Sequence, residues 1–274
     1  MSAPRRPLVM GIVNVTPDSF SDGGRFLGPD AALAHARRLI AEGADILDVG
    51  GESTRPGAEP ASEADEIARV VPVIAALRRE TALPISIDTM KPAVARAAFA
   101  AGATMWNDIT ALARSPGSLA VAAELGGQVV LMHMQGEPRT MQAEPTYGDV
   151  VAEVGDFLAA RAEAAMAAGV ERTNIWIDPG IGFGKTLAHN LALLANLDRF
   201  VALGFPVLIG ASRKSFIRRL DRSAKTADDR LGASLAAALA GAQAGVTAIR
   251  AHDVRETVQA LAMQAAIGQA GGHG

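Results

Sequence analysis

The sequence predicts a (β/α)₈ barrel, and three observations support this fold class. Short apolar runs alternate with Ala-rich amphipathic stretches eight times in the 274 residues. Six of those stretches end at a glycine just before the next apolar run, and glycine readily takes the left-handed conformation that ends a helix. Most of the apolar runs carry a polar residue at or near their last position. Eight such units at this chain length match a closed parallel barrel.

The predicted strands are nearly continuous in apolar residues, as strands buried on both faces of a parallel sheet are. A doubly wound open sheet is the alternative architecture, but it would carry a dominant glycine fingerprint after its first strand, and this sequence has none there. We expect one domain over residues 1–274, with long loops after strands 1 and 2. The predicted strands are 8–15, 44–51, 83–89, 104–110, 128–134, 174–180, 206–212 and 247–253, and the helix-ending glycines are Gly43, Gly102, Gly126, Gly169, Gly204 and Gly245.

The amino-acid composition excludes several classes of function. Hydrophobic residues make up 49% of the chain and charged residues 20%, which is enough apolar material for a large core. The net charge of -3 predicts no nucleic-acid partner, and the absence of cysteine excludes disulfides and thiolate metal sites. No apolar stretch reaches membrane-spanning length, and the apolar run near the N-terminus breaks at Asn14. We therefore expect a cytoplasmic protein without a membrane partner.

Polar residues at the strand ends predict the functional site. In a barrel these ends meet at one mouth, which is where active sites of this fold lie. Arg250 and His252 are two residues apart and should face the same way, because strand side chains alternate. The cluster predicts a site for a polar, partly anionic ligand. The residues in question are Asn14, Asp48, Asp88, Asn107, Asp108, His133, Asp178, Arg213, Lys214, Arg250 and His252.

The segment DPGIGFGKT, residues 178–186, is neither of the two glycine-rich motifs that it suggests. A P-loop would need glycine where Pro179 stands, and the three glycines are spaced wrongly for a dinucleotide fingerprint. The segment is a carboxylate at the end of a buried strand, followed by a turn that lets a ligand approach the backbone. Such a carboxylate favours a ligand with two adjacent N–H donors, and pterins and guanines present that edge.

At this point the chain resembles the bacterial dihydropteroate synthases, and the match runs in order over nearly its whole length. The resemblance implies a (β/α)₈ barrel, usually homodimeric, that joins 4-aminobenzoate to a dihydropterin methyl pyrophosphate in folate biosynthesis and is a target of sulfonamides. The motifs that carry it are MGIVNVTPDSFSDGG at 10–24, DVGGESTRPGA at 48–58, IDT at 87–89, NDIT at 107–110, DPGIGFGKT at 178–186, GASRKSFI at 210–217 and IRAHDV at 249–254.

The resemblance implies a pterin site inside the barrel. Asp178 would accept the 2-amino and N3–H groups of the pterin. Asn107 and Asp88 would bond other ring edges, and Lys214 would reach a ring acceptor and take part in catalysis. A flat heterocycle with a polar rim suits an apolar cavity with a few placed polar groups.

The resemblance also implies a pyrophosphate site. Arg250 and His252 would bind the leaving group, together with Asn14 acting through a bound Mg²⁺ and with Thr54 in the second loop. Asp22 in the first loop would coordinate the metal and stabilise the cation left when pyrophosphate departs. The reaction would be a dissociative displacement in which Arg250 and the metal stabilise the leaving charge.

The 4-aminobenzoate slot would form between the first two loops, which are long enough to act as lids. Phe20, Pro56 and Phe183 would supply its apolar walls, and Arg55 would help to order the loops. Ser215, at the start of the helix after strand 7, would bind the carboxylate through backbone N–H groups and the helix dipole.

Three features of the sequence are given no role in substrate binding or catalysis. Lys185 is interpreted as part of the loop structure, His133 is unassigned, and residues 221–230 are interpreted as a solvated insertion.

Two other functions are alternatives to the synthase. A pterin-dependent methyltransferase domain would not need the TRPG loop or the Arg-x-His pair, and both are in the sequence. A paralogue that binds pterin without turnover is the second alternative.

Overall fold

The computed structural model describes residues 6–16, 29–53 and 59–271. Eight parallel strands form one sheet in the order β6-β5-β4-β3-β2-β1-β8-β7. A bridge between Ile177 and Val207 joins the two ends of this order, so the sheet curls into a barrel. The strands are β1 Leu8–Asn14, β2 Ile46–Gly50, β3 Ile85–Asp88, β4 Met105–Asp108, β5 Gln128–Met132, β6 Ile175–Asp178, β7 Leu208–Ile209 and β8 Ala248–Ala251.

Helices alternate with the strands and form the outer layer, which confirms the predicted fold class. α2 begins at an N-cap in which the Ser62 side chain accepts from the Asp65 N–H, and α6 begins at a capping box between Thr186 and His189. The helices are α1 Pro29–Ala41, α2 Glu63–Glu80, α3 Pro92–Ala100, α4 Ser118–Leu125, α5 Val150–Ala167, α6 Leu187–Ala195, α7 Leu197–Val201, α8 Ile217–Leu220, α9 Leu231–Ala244 and α10 Val254–Gly271.

All six glycines predicted to end helices have positive φ, at Gly43, Gly102, Gly126, Gly169, Gly204 and Gly245. Each lies shortly before the next strand. The repeated glycines in the sequence therefore mark the points at which the chain passes from a helix into a strand of the barrel. Among the described residues, no helix is both long and apolar enough to cross a membrane.

The barrel interior is closed by an apolar plug, one residue from each of seven strands. Because strand side chains alternate, the residue two positions further along the same strand also faces inward and lies nearer the mouth. Trp176 is thus followed by Asp178, and Ala248 by Arg250. The plug places a polar layer at the carboxyl ends of the strands. The residues of the apolar plug are Met10, Ile46, Met105, Val130, Trp176, Leu208 and Ala248.

Candidate active site

A cavity of 480 Å³ opens at the carboxyl ends of the strands. It is the position that the fold class predicts for a catalytic site. Ile12 and Gly210 contribute apolar and backbone surface to its wall. Eight of the residues selected from the sequence meet around it, namely Asn14, Asp88, Phe183, Arg213, Lys214, Ser215, Arg250 and His252.

Arg250 lies across the floor of this cavity and joins two carboxylates. Its Nε donates to Asp48 Oδ2 at 2.6 Å, and an Nη donates to Asp88 Oδ2 at 2.8 Å. Asn107 Nδ2 donates to the same Asp48 oxygen at 3.3 Å. Asp48 was recognised in the sequence only as a polar strand end. Its link to Arg250 spans the β2 and β8 strands, 202 residues apart, and no local pattern signals such a pair.

The Asp88 carboxyl is held in an environment that favours its protonated form. Burial raises the pKa of Asp88 to about 7, while the charge of Arg250 opposes the shift and the nearby Asp48 charge adds to it. Removing the guanidinium from this carboxyl would therefore favour uptake of a proton near neutral pH. The Arg250 charge thus favours the ionised form of Asp88, against the effect of burial on its pKa.

Asp178 and Asn107 belong to the same polar layer but are buried and are not part of the cavity wall. Asp178 Oδ1 accepts the Gly180 N–H at 2.7 Å. Burial raises the pKa of Asp178, and the charges of Lys214, Lys185 and Arg250 oppose the shift. This carboxylate at the end of β6 therefore lies near three basic side chains.

The glycine turn after Asp178 packs directly on the backbone that follows β5. A Cβ on Gly180 would lie 1.9 Å from the His133 carbonyl oxygen, and one on Gly184 would lie 2.3 Å from that of Gln135. Both glycines also have positive φ. Glycine at these two positions is therefore a packing requirement as well as a conformational one.

Lys214 lies over this turn. Its Nζ donates to the Ile181 carbonyl and stands 4.2 Å from the centroid of the Phe183 ring, a cation–π contact. A Cβ at Gly182 would lie 2.6 Å from Lys214 Cδ, so glycine there makes room for the lysine stem. Burial lowers the pKa of Lys214 to about 7, with the Asp178 charge opposing the shift.

Lys185 and His133 form a buried pair behind the turn. Lys185 Nζ lies 3.0 Å from His133 Nδ1, 3.3 Å from the His133 carbonyl and 2.9 Å from the Phe183 carbonyl. Burial lowers the pKa of Lys185 to about 7. The prediction that Lys185 serves the loop structure agrees with these contacts, and His133 faces this lysine.

The loops after β7 and β8 are joined beside the cavity. The His252 N–H and its Nδ1 both lie 3.1 Å from Ser212 Oγ. His252 and Arg250 line one cavity, as their spacing predicted. Ser215 also lines it, but α8 begins only at Ile217 and has four residues. The predicted helix-dipole contribution at Ser215 is therefore small, since a single turn has few aligned peptide dipoles.

The interpretation of residues 221–230 as a solvated insertion is wrong in one respect. Most of this segment is exposed, yet Ala227 and Arg230 form part of the cavity wall. Arg230 Nη1 donates to the Arg213 carbonyl at 2.8 Å and pulls the end of the segment onto the loop after β7. The charge pattern of the sequence does not indicate that the end of this segment lies on the cavity wall.

Five selected residues lie outside the described residues, so their predicted roles are not addressed by the geometry. They belong to the loops after β1 and β2, whose described flanks include Asn14, Thr16, Glu52 and Ser53, all on the cavity wall. The five are Phe20, Asp22, Thr54, Arg55 and Pro56.

The fold and the polar cavity define the class of protein, and comparisons with known proteins agree. A family model described as pterin binding enzyme matches residues 10–252. The dihydropteroate synthase of Escherichia coli K12 is 48% identical over 255 residues, covering 93% of this chain and 89% of that one. The chain therefore belongs to the dihydropteroate synthases of the pterin binding enzyme family.

Solved structures extend the likeness to three dimensions. The Xanthomonas albilineans dihydropteroate synthase with 4-aminobenzoic acid is 53% identical, with a TM-score of 0.90, covering 96% of this chain and 93% of that one. The Yersinia pestis enzyme in a sulfonamide drug complex is 46% identical, with a TM-score of 0.91 and coverages of 96% and 95%. These similarities confirm the resemblance stated from the sequence motifs.

Proposed function

We propose that this chain condenses 6-hydroxymethyl-7,8-dihydropterin pyrophosphate with 4-aminobenzoate, releasing pyrophosphate and forming 7,8-dihydropteroate. The observation that carries the proposal is one cavity in which Arg250 and His252 stand beside the carboxylate of Asp88. Cations suit a pyrophosphate, and carboxylates suit the N–H edges of a pterin. Membership of the dihydropteroate synthases supports the same reaction.

In this proposal the pterin occupies the polar layer. The Asp178 carboxylate accepts two parallel N–H groups of the ring, and Asn107 and Asp88 bond its other edges. Lys214, whose Nζ now donates to the Ile181 carbonyl, turns its ammonium to a ring acceptor. The apolar plug below, including Trp176 at 5% exposure, excludes water from the lower face of the ring.

The pyrophosphate requires Arg250 to exchange partners. Its guanidinium now bonds Asp88, which the pterin also needs. We infer that the arrival of the pterin frees one arm of Arg250 to fork onto phosphate oxygens while the Nε stays on Asp48. His252, on the same wall, donates to the same anion.

A bound Mg²⁺ is proposed to assist at Asn14. The donor type fits, since an amide oxygen is a hard ligand and Asn14 lies on the cavity wall with Arg250 and His252. Asp22, outside the described residues, is the proposed second ligand, and Thr54 is proposed to bind the pyrophosphate. When bound, the metal would neutralise charge on the leaving pyrophosphate.

We propose that the C–O bond to pyrophosphate breaks before the amine attacks. The positive charge left on the pterin methylene spreads into the electron-rich ring, and Asp22 would face it. Arg250 holds the departing anion, so that the site stabilises separated charges in a space with little water. The amine of 4-aminobenzoate then bonds to the methylene carbon and releases a proton to solvent.

The 4-aminobenzoate is placed against Phe183, on the wall of the cavity, with its carboxylate at Ser215. Phe20, Arg55 and Pro56 would complete this slot from the two loops. A sulfonamide would bind in the same place, and the Yersinia pestis relative in its sulfonamide drug complex supports this.

The test is pyrophosphate release from the dihydropterin substrate with Mg²⁺, with and without 4-aminobenzoate. Turnover that requires 4-aminobenzoate and is blocked by a sulfonamide supports the synthase. Methyl transfer from a reduced folate to a corrinoid would instead support the methyltransferase alternative. Pterin binding by calorimetry without either reaction would support the inactive paralogue.

Three further features belong to the proposal. We propose that residues 1–274 fold as one domain, that the chain is cytoplasmic, and that it forms a homodimer. Large exposed apolar side chains on the outer helices, such as Met263 and Ile267, support self-association. Analytical ultracentrifugation would test the dimer, and a monomer at micromolar concentration would contradict it.

A further inference from the structure

The loops after β7 and β8 each carry residues of the proposed pyrophosphate and pterin sites. Lys214 lies on the first loop, and His252 follows β8 on the second. The residues that directly flank them in sequence are Arg213 and Asp253, and these two side chains bond each other. The two loops are therefore joined by a contact between the sequence neighbours of Lys214 and His252.

The backbone of Arg213 has a left-handed conformation, which is unfavourable for residues other than glycine. Its φ is 58°, and only two other described non-glycine residues, Ala111 and Leu112, have positive φ. Such a backbone conformation persists only where the surroundings enforce it. Here the Arg213 N–H donates to Ser234 Oγ at 2.9 Å, and its carbonyl accepts from Arg230 at 2.8 Å.

The guanidinium of Arg213 bonds two carboxylates that differ in burial. It forks onto Asp253, with Nε to Oδ2 at 2.9 Å and an Nη to Oδ1 at 2.5 Å, and the Asp253 side chain is 14% exposed. The other Nη donates to Asp228 at 2.7 Å, whose side chain is 81% exposed. A two-point fork to a shielded carboxylate fixes orientation, whereas a single exposed contact contributes little.

We propose that Arg213 and Asp253 are a positioning pair that sets the distance between Lys214 and the Arg250–His252 anion site. This rests on the proposed function, because it presumes that Arg250 and His252 bind the pyrophosphate. Arg213 lies on the cavity wall, but its guanidinium bonds Asp253 and Asp228, and in this proposal the pair touches no substrate. It fixes the β7 loop against the β8 loop, together with the Ser212–His252 contact, and so keeps the ring site and the leaving-group site in register.

The pair is also close to neutral in charge, so its effect on the substrate is geometric. A displacement of about 1 Å at a catalytic group can lower a rate by about 10²-fold. Loss of the fork would let the β7 loop shift relative to the β8 loop, and Lys214 would shift with it because it is the next residue. The position of Arg213 in the sequence therefore explains why a strained backbone is retained there.

A double-mutant cycle tests the pair in the full-length enzyme. Arg213→Gln keeps an L side chain at the same φ but loses the fork, and Asp253→Asn keeps the shape and loses the charge. We expect each single variant to lower kcat/KM for the pterin pyrophosphate by about 10 to 100-fold. The double variant should fall no further, because the two residues act through one contact.

The matched control is Asp228→Asn, which removes the exposed partner of the same arginine. We expect kcat/KM within about twofold of the parent enzyme, since exposed single contacts contribute little. Arg213→Lys is a second comparison, because lysine keeps the charge without the fork, and it should behave like Arg213→Gln.

A readout besides activity separates positioning from general stability. The affinity for a pterin lacking the pyrophosphate should fall much less than the affinity for the pterin pyrophosphate, because only the pterin pyrophosphate spans both loops. The affinity for the pterin pyrophosphate should fall in step with kcat/KM. Multiplicative losses in the double variant, a parallel loss of affinity for the plain pterin, or an equal loss in Asp228→Asn would each overturn the proposal.

The same assay separates failure of the pair from failure of the proposed function. Arg250→Ala and His252→Ala should lower the affinity for the pterin pyrophosphate relative to the plain pterin. If they leave that ratio unchanged, the assignment of the pyrophosphate site is wrong. If they lower it and the Arg213 and Asp253 variants do not, only the positioning pair is wrong.

Discussion

Two buried carboxylates share one guanidinium at the floor of the cavity. Asp48 is fully buried, and its Oδ1 has no hydrogen-bond partner among the described residues. Two like charges at this separation repel, and Arg250 offsets the repulsion by bonding both. Arg250 therefore serves the proposed leaving-group site and also holds these two carboxylates together.

Arg250→Ala should abolish most turnover while affinity for a pterin lacking pyrophosphate largely survives. The loss in kcat/KM should be at least about 10²-fold, the size typical for removal of one charge-stabilising donor. Calorimetry with both pterins, beside steady-state kinetics, measures the two effects. Arg255→Ala, an exposed arginine on α10, is the control. Equal loss of affinity for both pterins would argue against the pyrophosphate role.

Asp178→Asn should weaken pterin binding by about 10 to 100-fold. An amide oxygen accepts one of the two N–H donors, but its NH₂ group opposes the second, and a bond to a charged group contributes about 1.5–3 kcal/mol. Equilibrium titration with the plain pterin measures the change. Asp198→Asn, exposed on α7, should leave the affinity unaltered. An affinity equal to that of the parent chain would remove Asp178 from the site.

At the scale of elements, the turn after β6 depends on close packing against the segment after β5. Gly180 and Gly126 have similar φ values, 69° and 64°, but different surroundings. A Cβ at Gly180 would meet the His133 carbonyl oxygen at 1.9 Å, whereas one at Gly126 would meet nothing within 4 Å. The two positions therefore separate the cost of a positive φ from the cost of a clash.

Gly126→Ala should lower the free energy of unfolding by about 1 kcal/mol and leave activity intact, since only the backbone conformation is disfavoured. Gly180→Ala should destabilise the chain by several times that amount, roughly 3 kcal/mol or more, and weaken pterin binding. Urea unfolding and pterin titration on both variants test this. Equal destabilisation in the two would show that packing on His133 contributes nothing.

The elements of the fold could be predicted because their signals are local. Gly43 and Gly245 each stand between a helix and the strand that follows it directly in the sequence, so each boundary has a local signal. The partners inside the site could not be predicted. Arg250 bonds Asp48 across 202 residues, and its direction depends on the register of strands that meet only in the closed barrel.

The return of Arg230 to the cavity wall is a second case in which the sequence alone was insufficient. Six of the ten residues 221–230 are charged, a pattern typical of a solvated loop. The carbonyl of Arg213, held in its strained conformation, gives Arg230 a partner on the loop after β7. Motifs placed the site residues at the mouth, whereas contacts between loops determine their orientation.

At the scale of the whole molecule, stability should depend on pH through a buried imidazole. Burial lowers the pKa of His133 from its ordinary 6.5 to about 3, and the Lys185 charge adds to the shift. Between these values the unfolded chain binds a proton that the folded chain does not. Stability from this group is therefore complete above pH 6.5 and is lost progressively as the pH falls towards 3.

His133→Asn should make the free energy of unfolding less dependent on pH in this window. Asparagine does not titrate, and its carbonyl can accept from Lys185 in place of Nδ1. Between pH 6.5 and 5.0 the parent chain should lose about 1–2 kcal/mol more than the variant, since each pH unit contributes at most about 1.4 kcal/mol. Urea unfolding at pH 7.5, 6.5 and 5.0 measures this. The first interval is the reference, because protonation of His133 in the unfolded chain contributes only about 0.4 kcal/mol there. Parallel curves down to pH 5.0 would mean that His133 takes up its proton in the folded barrel, and that the contact with Lys185 does not keep the imidazole neutral.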